Sequence, residues 1–177
     1  MTASGVSPYA RHLIDALHLT PHPEGGWYRR TWQSPVAAPA GPDPAAAAEK
    51  CAAASPATAA NVADLSENST SARPLASLIY FLLPAGDSSD WHVVDADELW
   101  LWHGPGAVTI ELAGSGAGPD PAQLKATTLR MDQDGALTQL VVPAGVWQRT
   151  VPSGEDALVS CVVSPGFVYA GFKLARD

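Results

Sequence analysis

The residues best equipped for chemistry are His92 and Glu98, in the stretch Trp91-His92-Val93-Val94-Asp95-Ala96-Asp97-Glu98-Leu99-Trp100-Leu101-Trp102. Gln148 follows downstream in Val142-Pro143-Ala144-Gly145-Val146-Trp147-Gln148. An imidazole with a carboxylate partner exchanges protons near neutral pH. A side-chain amide both donates and accepts, which suits it to orient a carbonyl or hydroxyl. Alternatively, His92 and Glu98 form a hydrogen-bonded pair that satisfies two buried polar groups and does nothing more.

The first stretch reads as two short strands joined by the turn Asp95-Ala96-Asp97. Side chains alternate faces along a strand, so Glu98, Trp100 and Trp102 share one face, and His92 shares a face with Val94. The turn folds His92 back beside Glu98. Trp100 and Trp102 are then either core or the aromatic wall of a small-molecule pocket. Pro143-Ala144-Gly145 suits a type I turn with Pro second and Gly fourth, which launches the strand carrying Gln148. Tyr80 lies in an apolar strand, where its hydroxyl needs a partner if buried. It is a candidate second acid or a tether. His103 falls on the face opposite Glu98, and His12 and His18 are expected at the surface.

The elements around these residues are legible in outline. Ser7 caps a helix with Pro8 at its first position, and Ala10, Leu13, Ile14 and Leu17 repeat at helical spacing. Thr20-Pro21-His22-Pro23 ends it. Glu24-Gly25-Gly26 is a turn, and Trp27–Gln33 is a strand. From Pro74 onward the pattern is all-β. Strands are expected at Leu75–Leu83, Ser89–Val94, Glu98–His103, Val108–Leu112, Ala126–Met131, Thr138–Val142, Trp147–Val151 and Ala157–Ser164, separated by Gly, Pro and Asp clusters. Such spacing indicates a sandwich or barrel. Ser34 to Arg73 is rich in Ala and Pro and nearly free of aromatics, and it is expected to be a mobile insertion or a lid.

The 177 residues fit a single domain, 1–177. The formal net charge of -8 argues against nucleic-acid or anionic-membrane partners, because no basic face is available for phosphates. Two cysteines, Cys51 and Cys161, make no disulfide framework, and Cys161 reads as a small buried hydrophobe. The N-terminus has no basic region followed by an apolar run, and no apolar stretch approaches a membrane span. A cytoplasmic protein is expected.

These residues carry a resemblance to the cupin superfamily. Gly86 to Glu98 is similar to the first cupin motif, with Val94 where a second His belongs. Pro143 to Gln148 is similar to the second, with Gln in place of His. The chain more closely resembles one cupin family of unassigned function, through His22 to Trp27, Ile79 to Leu83, Trp91 to Val94, Asp97 to Trp100, Pro143 to Gln148 and Ser164 to Phe167.

The resemblance implies a double-stranded β-helix, or jelly-roll barrel, with one short N-terminal helix. It implies a homodimer, with Trp27–Gln33 near the interface. It makes Glu24 and Arg29 candidate pocket residues or surface ion pairs. In metal-binding cupins the positions of His92 and Glu98 are ligands, so His92, Glu98 and Gln148 form the candidate site for a divalent ion, but an amide oxygen is a poor third donor. No cofactor is therefore expected. Some sugar-nucleotide epimerases use this barrel without metal. The leading expectation is accordingly an isomerase, epimerase or lyase working by acid/base chemistry on a small polar, sugar-like or carbonyl substrate. The alternatives are a metal-dependent cupin enzyme and a ligand-binding module without turnover.

Overall fold

The computed structural model describes residues 6–39, 73–133 and 135–175. Two antiparallel sheets face each other. The first runs β1-β2-β3-β11-β5-β9 and the second β12-β4-β10-β6-β7-β8. The strands of the first are β1 (Thr20–Pro21), β2 (Trp27–Gln33), β3 (Ser77–Leu83), β11 (Ala157–Ser164), β5 (Asp97–Pro105) and β9 (Gln139–Val142). Those of the second are β12 (Phe172–Leu174), β4 (His92–Val94), β10 (Gln148–Val151), β6 (Val108–Leu112), β7 (Lys125–Asp132) and β8 (Gly135–Leu137). Sequence neighbours repeatedly lie in opposite sheets, which is the jelly-roll arrangement that the resemblance implies. The short strands β1, β8 and β12 carry too few residues to show an alternating pattern, and the sequence does not announce them.

Helix α1 (Pro8–Leu17) begins as its sequence dictates. The Ser7 side chain accepts from the Ala10 amide at 3.0 Å, and Pro8 occupies the first turn. His18 closes the helix in the left-handed region, with φ 52°. The helix packs its apolar stripe, including Ala10, Leu13 and Ile14, on the outer face of the first sheet against Leu82, Tyr80 and Leu158. Each fully buried Leu here contributes roughly 1.5–3 kcal/mol. Among the described residues no helix is long and apolar enough to cross a membrane.

Alternation along β3 separates two worlds. Tyr80 and Leu82 face the helix, whereas Phe81 joins Trp100, Ile110, Leu129 and Val159 in the core between the sheets. Phe81 meets Trp100 edge-to-face, with ring centroids 5.8 Å apart. This core fills one end of the barrel and leaves the other end hollow.

Of the expected insertion, residues 40–72 lie outside the described residues. Its ends are described, and they pair: Ala37 bridges Pro74, and the Ala38 amide donates to the Arg73 carbonyl at 2.7 Å.

The loop between β1 and β2 sets how closely this hairpin can approach the barrel. Gly25 has φ +107°, and a Cβ there would meet the Ser88 carbonyl oxygen at 2.2 Å. Gly145 has φ +76° but open space around it. We expect Gly25→Ala to destabilise the fold by on the order of 2 kcal/mol or more, through clash plus backbone strain. Gly145→Ala bears strain alone, about 1 kcal/mol. Chemical denaturation of the two variants side by side checks the difference.

Candidate active site

Three local structures aim side chains into the hollow end. The first is the turn at Asp95–Asp97 between β4 and β5. The Asp97 carboxylate accepts from the Ala144 amide at 2.8 Å, and the Gly145 amide donates to the Val94 carbonyl at 2.8 Å. The two segments singled out in the sequence therefore hold each other. The Val146 amide donates to the Pro143 carbonyl at 3.1 Å, which makes Gly145 the third turn residue. With its positive φ this is a type II geometry, not the type I turn expected, because the turn begins at Pro143 and not one residue earlier.

The second is β10, which pairs with β4 so that Gln148 stands opposite His92. The third is the His22–Gly26 loop. The Gly25 amide donates to the His22 carbonyl at 3.1 Å, the His22 amide to Gly26 at 3.0 Å, and the Asp90 amide to the Glu24 carbonyl at 2.6 Å. That last bond sews the loop to the segment entering β4 and brings His22 and Glu24 beside His92.

The result is a cavity of about 670 Å³, lined on its polar side by His22, Glu24, His92, Glu98 and Arg30. Phe172 and Phe167 contribute apolar wall. The His92 ring lies against Phe172, with centroids 5.7 Å apart. His22 meets the edge of Tyr28 at 4.6 Å.

Hydrogen bonds fix the tautomer of each ring. His92 Nδ1 lies 2.8 Å from the Asp90 carbonyl oxygen, which can only accept, so Nδ1 carries the proton. His92 Nε2 is left with a lone pair, 3.5 Å from Glu24 Oε2. His22 Nδ1 accepts from the Glu24 amide at 3.4 Å and lies 3.4 Å from the same carboxyl oxygen. The acidic neighbour of His92 is thus Glu24, where the sequence pointed to Glu98.

Glu98 is held from behind. The Trp100 indole N–H donates to Gln148 Oε1 at 3.0 Å, and Gln148 Nε2 donates to Glu98 Oε2 at 2.7 Å. The Cys161 thiol also hydrogen-bonds Glu98. This relay is buried throughout, so the carboxyl has a single orientation.

Burial governs the charges. It lowers His92 from 6.5 to about 4, against the opposing bond to Asp90, and it lowers His22 to about 4 with help from His92. Burial raises Glu98 from 4.5 to about 6, although bonds from Gln148 and Cys161 pull the other way. Glu24 is pushed well above the usual carboxylate range by burial first and then by Glu98 and Asp90. Near neutral pH both imidazoles are therefore neutral bases, and burial favours the neutral acid form of Glu24. The Cys161 thiol is raised by burial and stays protonated.

Of the residues picked from sequence, His92, Glu98, Glu24 and Arg29 line the cavity. Gln148 stands directly behind Glu98. Trp100 and Trp102 do not line it: Trp100 lies in the core, and the Trp102 indole donates to the Gly106 carbonyl at 2.7 Å. They share the inward face with Glu98, but the core occupies their end of the strand. Tyr80 is also removed from the cavity, because alternation turns it outward beneath the helix, edge-on to His103 at 6.3 Å. His22 was part of a quoted motif yet passed over. Its cue was two-residue spacing from Glu24 across a Pro, which puts both side chains on one side of a tight loop. Arg30, not singled out in the sequence, also lines the cavity.

The residues do not fit the metal set that the fold family suggests. Gln148 accepts from Trp100 through Oε1 and donates from Nε2 to Glu98, so its amide is tied into the relay behind Glu98, and a neutral amide oxygen is a weak third ligand beside His92 and Glu98. Among the described residues no group of three or more His, Cys, Asp or Glu is arranged to hold a metal ion.

A jelly-roll barrel with a buried imidazole and carboxyl groups at its open end is the cupin arrangement. The family model described as "Cupin superfamily (DUF985)" matches residues 11–175, and the chain belongs to this family. A solved protein of Shewanella oneidensis is 30% identical, with TM-score 0.68, the alignment covering 94% of this chain and 84% of that one. A hypothetical protein from Leishmania major has the same fold at 23% identity and TM-score 0.68, covering 94% of this chain and 87% of its own. No curated protein matches the chain.

The electrostatics predict how stability responds to pH. A raised carboxyl folds best as the acid, so its charge destabilises the folded state as pH rises from 4.5 through about 6. Glu98→Gln should therefore gain on the wild type across that window, levelling off at on the order of 2 kcal/mol. His22 and His92, lowered from 6.5 to about 4, act in the opposite sense: their burial destabilises the fold as pH falls through that range. Urea midpoints of both proteins from pH 4 to 8 measure the difference.

Proposed function

We propose that this protein is a small-molecule enzyme of the isomerase, epimerase or lyase type, moving protons on a small polar, carbonyl-bearing or sugar-like substrate without a metal. One observation carries it: His92 Nε2 presents a lone pair to the cavity, because Nδ1–H is tied to the Asp90 carbonyl. A neutral imidazole held this way is a general base. Glu24, which burial biases towards the neutral acid, donates a hydrogen bond to a substrate carbonyl oxygen as charge builds there. Glu98, titrating near 6, takes or returns the second proton. Removal of a proton beside the carbonyl and its return to either face gives isomerisation or epimerisation. Loss of a leaving group from the same intermediate gives elimination.

The engagement of Gln148 with Trp100 and Glu98 supports a reaction without a metal. Incubation with carbonyl compounds and sugars in D2O, followed by NMR, detects the proton exchange directly. We expect His92→Ala and Glu98→Gln to lower kcat/KM at least about 100-fold while the circular dichroism spectrum stays unchanged. We expect dialysis against chelator to leave activity intact. Stoichiometric metal that survives purification, with activity lost on its removal, overturns the assignment in favour of the metal-dependent alternative.

We also propose a homodimer joined along β2. Strand β1 covers only Trp27 and Tyr28 on that edge, and Trp32, Val36 and Leu75 are exposed near its open remainder. An uncovered apolar edge is a pairing surface. Light scattering at micromolar concentration should give twice the chain mass, and Trp32→Glu should reduce it to one. The net charge of -8 supports a partner set without nucleic acid, and a cytoplasmic location remains part of the same proposal.

A further inference from the structure

Arg30 stands apart from the other described arginines. Arg29 donates to the Leu17 carbonyl at 3.0 Å, Arg73 grips Asp95 with two bonds of 2.9 and 2.6 Å, and Arg130 lies 3.6 Å from Asp132. Arg149 bonds Glu111 at 2.7 Å and covers the Trp91 ring. Arg11 reaches the Val6 carbonyl at 3.4 Å. Arg30 makes no ion pair among the described residues, and its Nε is buried with no hydrogen-bond partner. A buried N–H donor without a partner is unfavourable, so such groups are normally hydrogen-bonded or await a ligand.

The backbone shows why it points inward. Arg30 pairs with Ile79 and Trp32 with Leu78, which leaves Thr31 as the extra residue of a β-bulge. Bulges re-aim side chains next to binding sites. Arg30 and Thr31 both line the cavity as a result.

Resting on the acid/base proposal for the same cavity, we infer that the substrate carries a carboxylate, held by the Nε–Nη edge of Arg30 while its reacting carbon faces His92 and Glu98. A guanidinium edge matches a carboxylate in two parallel hydrogen bonds. The acidic groups of the cavity do not pair with it: among the described residues no ion pair joins Arg30 to Glu24 or Glu98, and burial pushes both towards the neutral acid. Arg30 and the acid/base cluster line one cavity, so a single ligand can reach both. One unpaired guanidinium balances one negative charge, which favours a carboxylate over a phosphate dianion in a chain of net charge -8.

The test is equilibrium binding, read without turnover. Small 2-hydroxy- and 2-oxo-carboxylates, each with its neutral carboxamide and a phosphate monoester of similar size, are titrated against the full chain by saturation-transfer NMR. We expect the carboxylates to bind, and Arg30→Gln to weaken them at least about tenfold. The carboxamides should bind weakly and indifferently to that change. Arg30→Lys keeps the charge but loses the fork, and should fall between the two. On the wild type, where folding is not in question, the Arg30 Nε–H resonance should shift on adding a carboxylate. Equal binding of acid and amide, tighter binding of the phosphate, or an unmoved Nε–H resonance each overturns the inference. Arg30-dependent carboxylate binding by a protein without turnover would sink the catalytic proposal alone, and turnover of a neutral substrate unaffected by Arg30→Gln would sink this one alone.

Discussion

The site depends on one backbone hydrogen bond, from the Asp90 amide to the Glu24 carbonyl at 2.6 Å. It joins an N-terminal loop to the strand carrying His92, across a long sequence separation. The loop can come that close only because Gly25 lacks a Cβ where the Ser88 carbonyl stands. Without this junction the barrel would still have its core, since Phe81, Trp100 and Leu129 pack at the other end. It would lack two members of its histidine and carboxyl cluster, because His22 and Glu24 arrive with the loop. Folding and chemistry are thus coupled at Gly25.

A second layer sets the charge states. Gln148 stands where its amide links an indole to a carboxyl, both buried. An amide cannot lose its donors near neutral pH, so Glu98 keeps its orientation whether ionised or not. A histidine at the same place would change charge along with its neighbours. The cavity holds neutral imidazoles against carboxyls that resist ionisation. This is what burial imposes on groups that lack fixed counter-charges.

Much of the fold was legible because it rests on local pattern. Ser7 and Pro8 marked the helix start, and Val108–Leu112 and Ala157–Ser164 are strands with the bounds their alternation suggested. His92 and Glu98 were found through residue types, spacing and the motif resemblance, and both line the cavity. The failures have physical causes. Period two gives the face of a strand but not the depth along it, so Trp100 was placed beside Glu98 in a pocket when it belongs to the core. Tyr80 needed knowledge of which sheet face the helix covers. Arg30 was missed because a bulge at Thr31 breaks the alternation, and a bulge leaves no compositional trace. The acidic neighbour of His92 came from a distant loop, which no local pattern can report.

The paired ends of the long Ala/Pro-rich segment have a consequence for how this barrel can vary. Ala37 bridges Pro74, Ala38 bonds Arg73, and Arg73 in turn grips Asp95 at the β4–β5 turn. The chain therefore leaves and re-enters the barrel through one stapled gate. Closing a flexible loop grows dearer only with the logarithm of its length, about 0.6 kcal/mol per doubling. Selection on the length and composition of that segment is then nearly uncoupled from selection on the barrel. The same gate is a natural graft point: a foreign domain whose termini lie close together can be spliced between Ala38 and Arg73 while the strand register stays as it is.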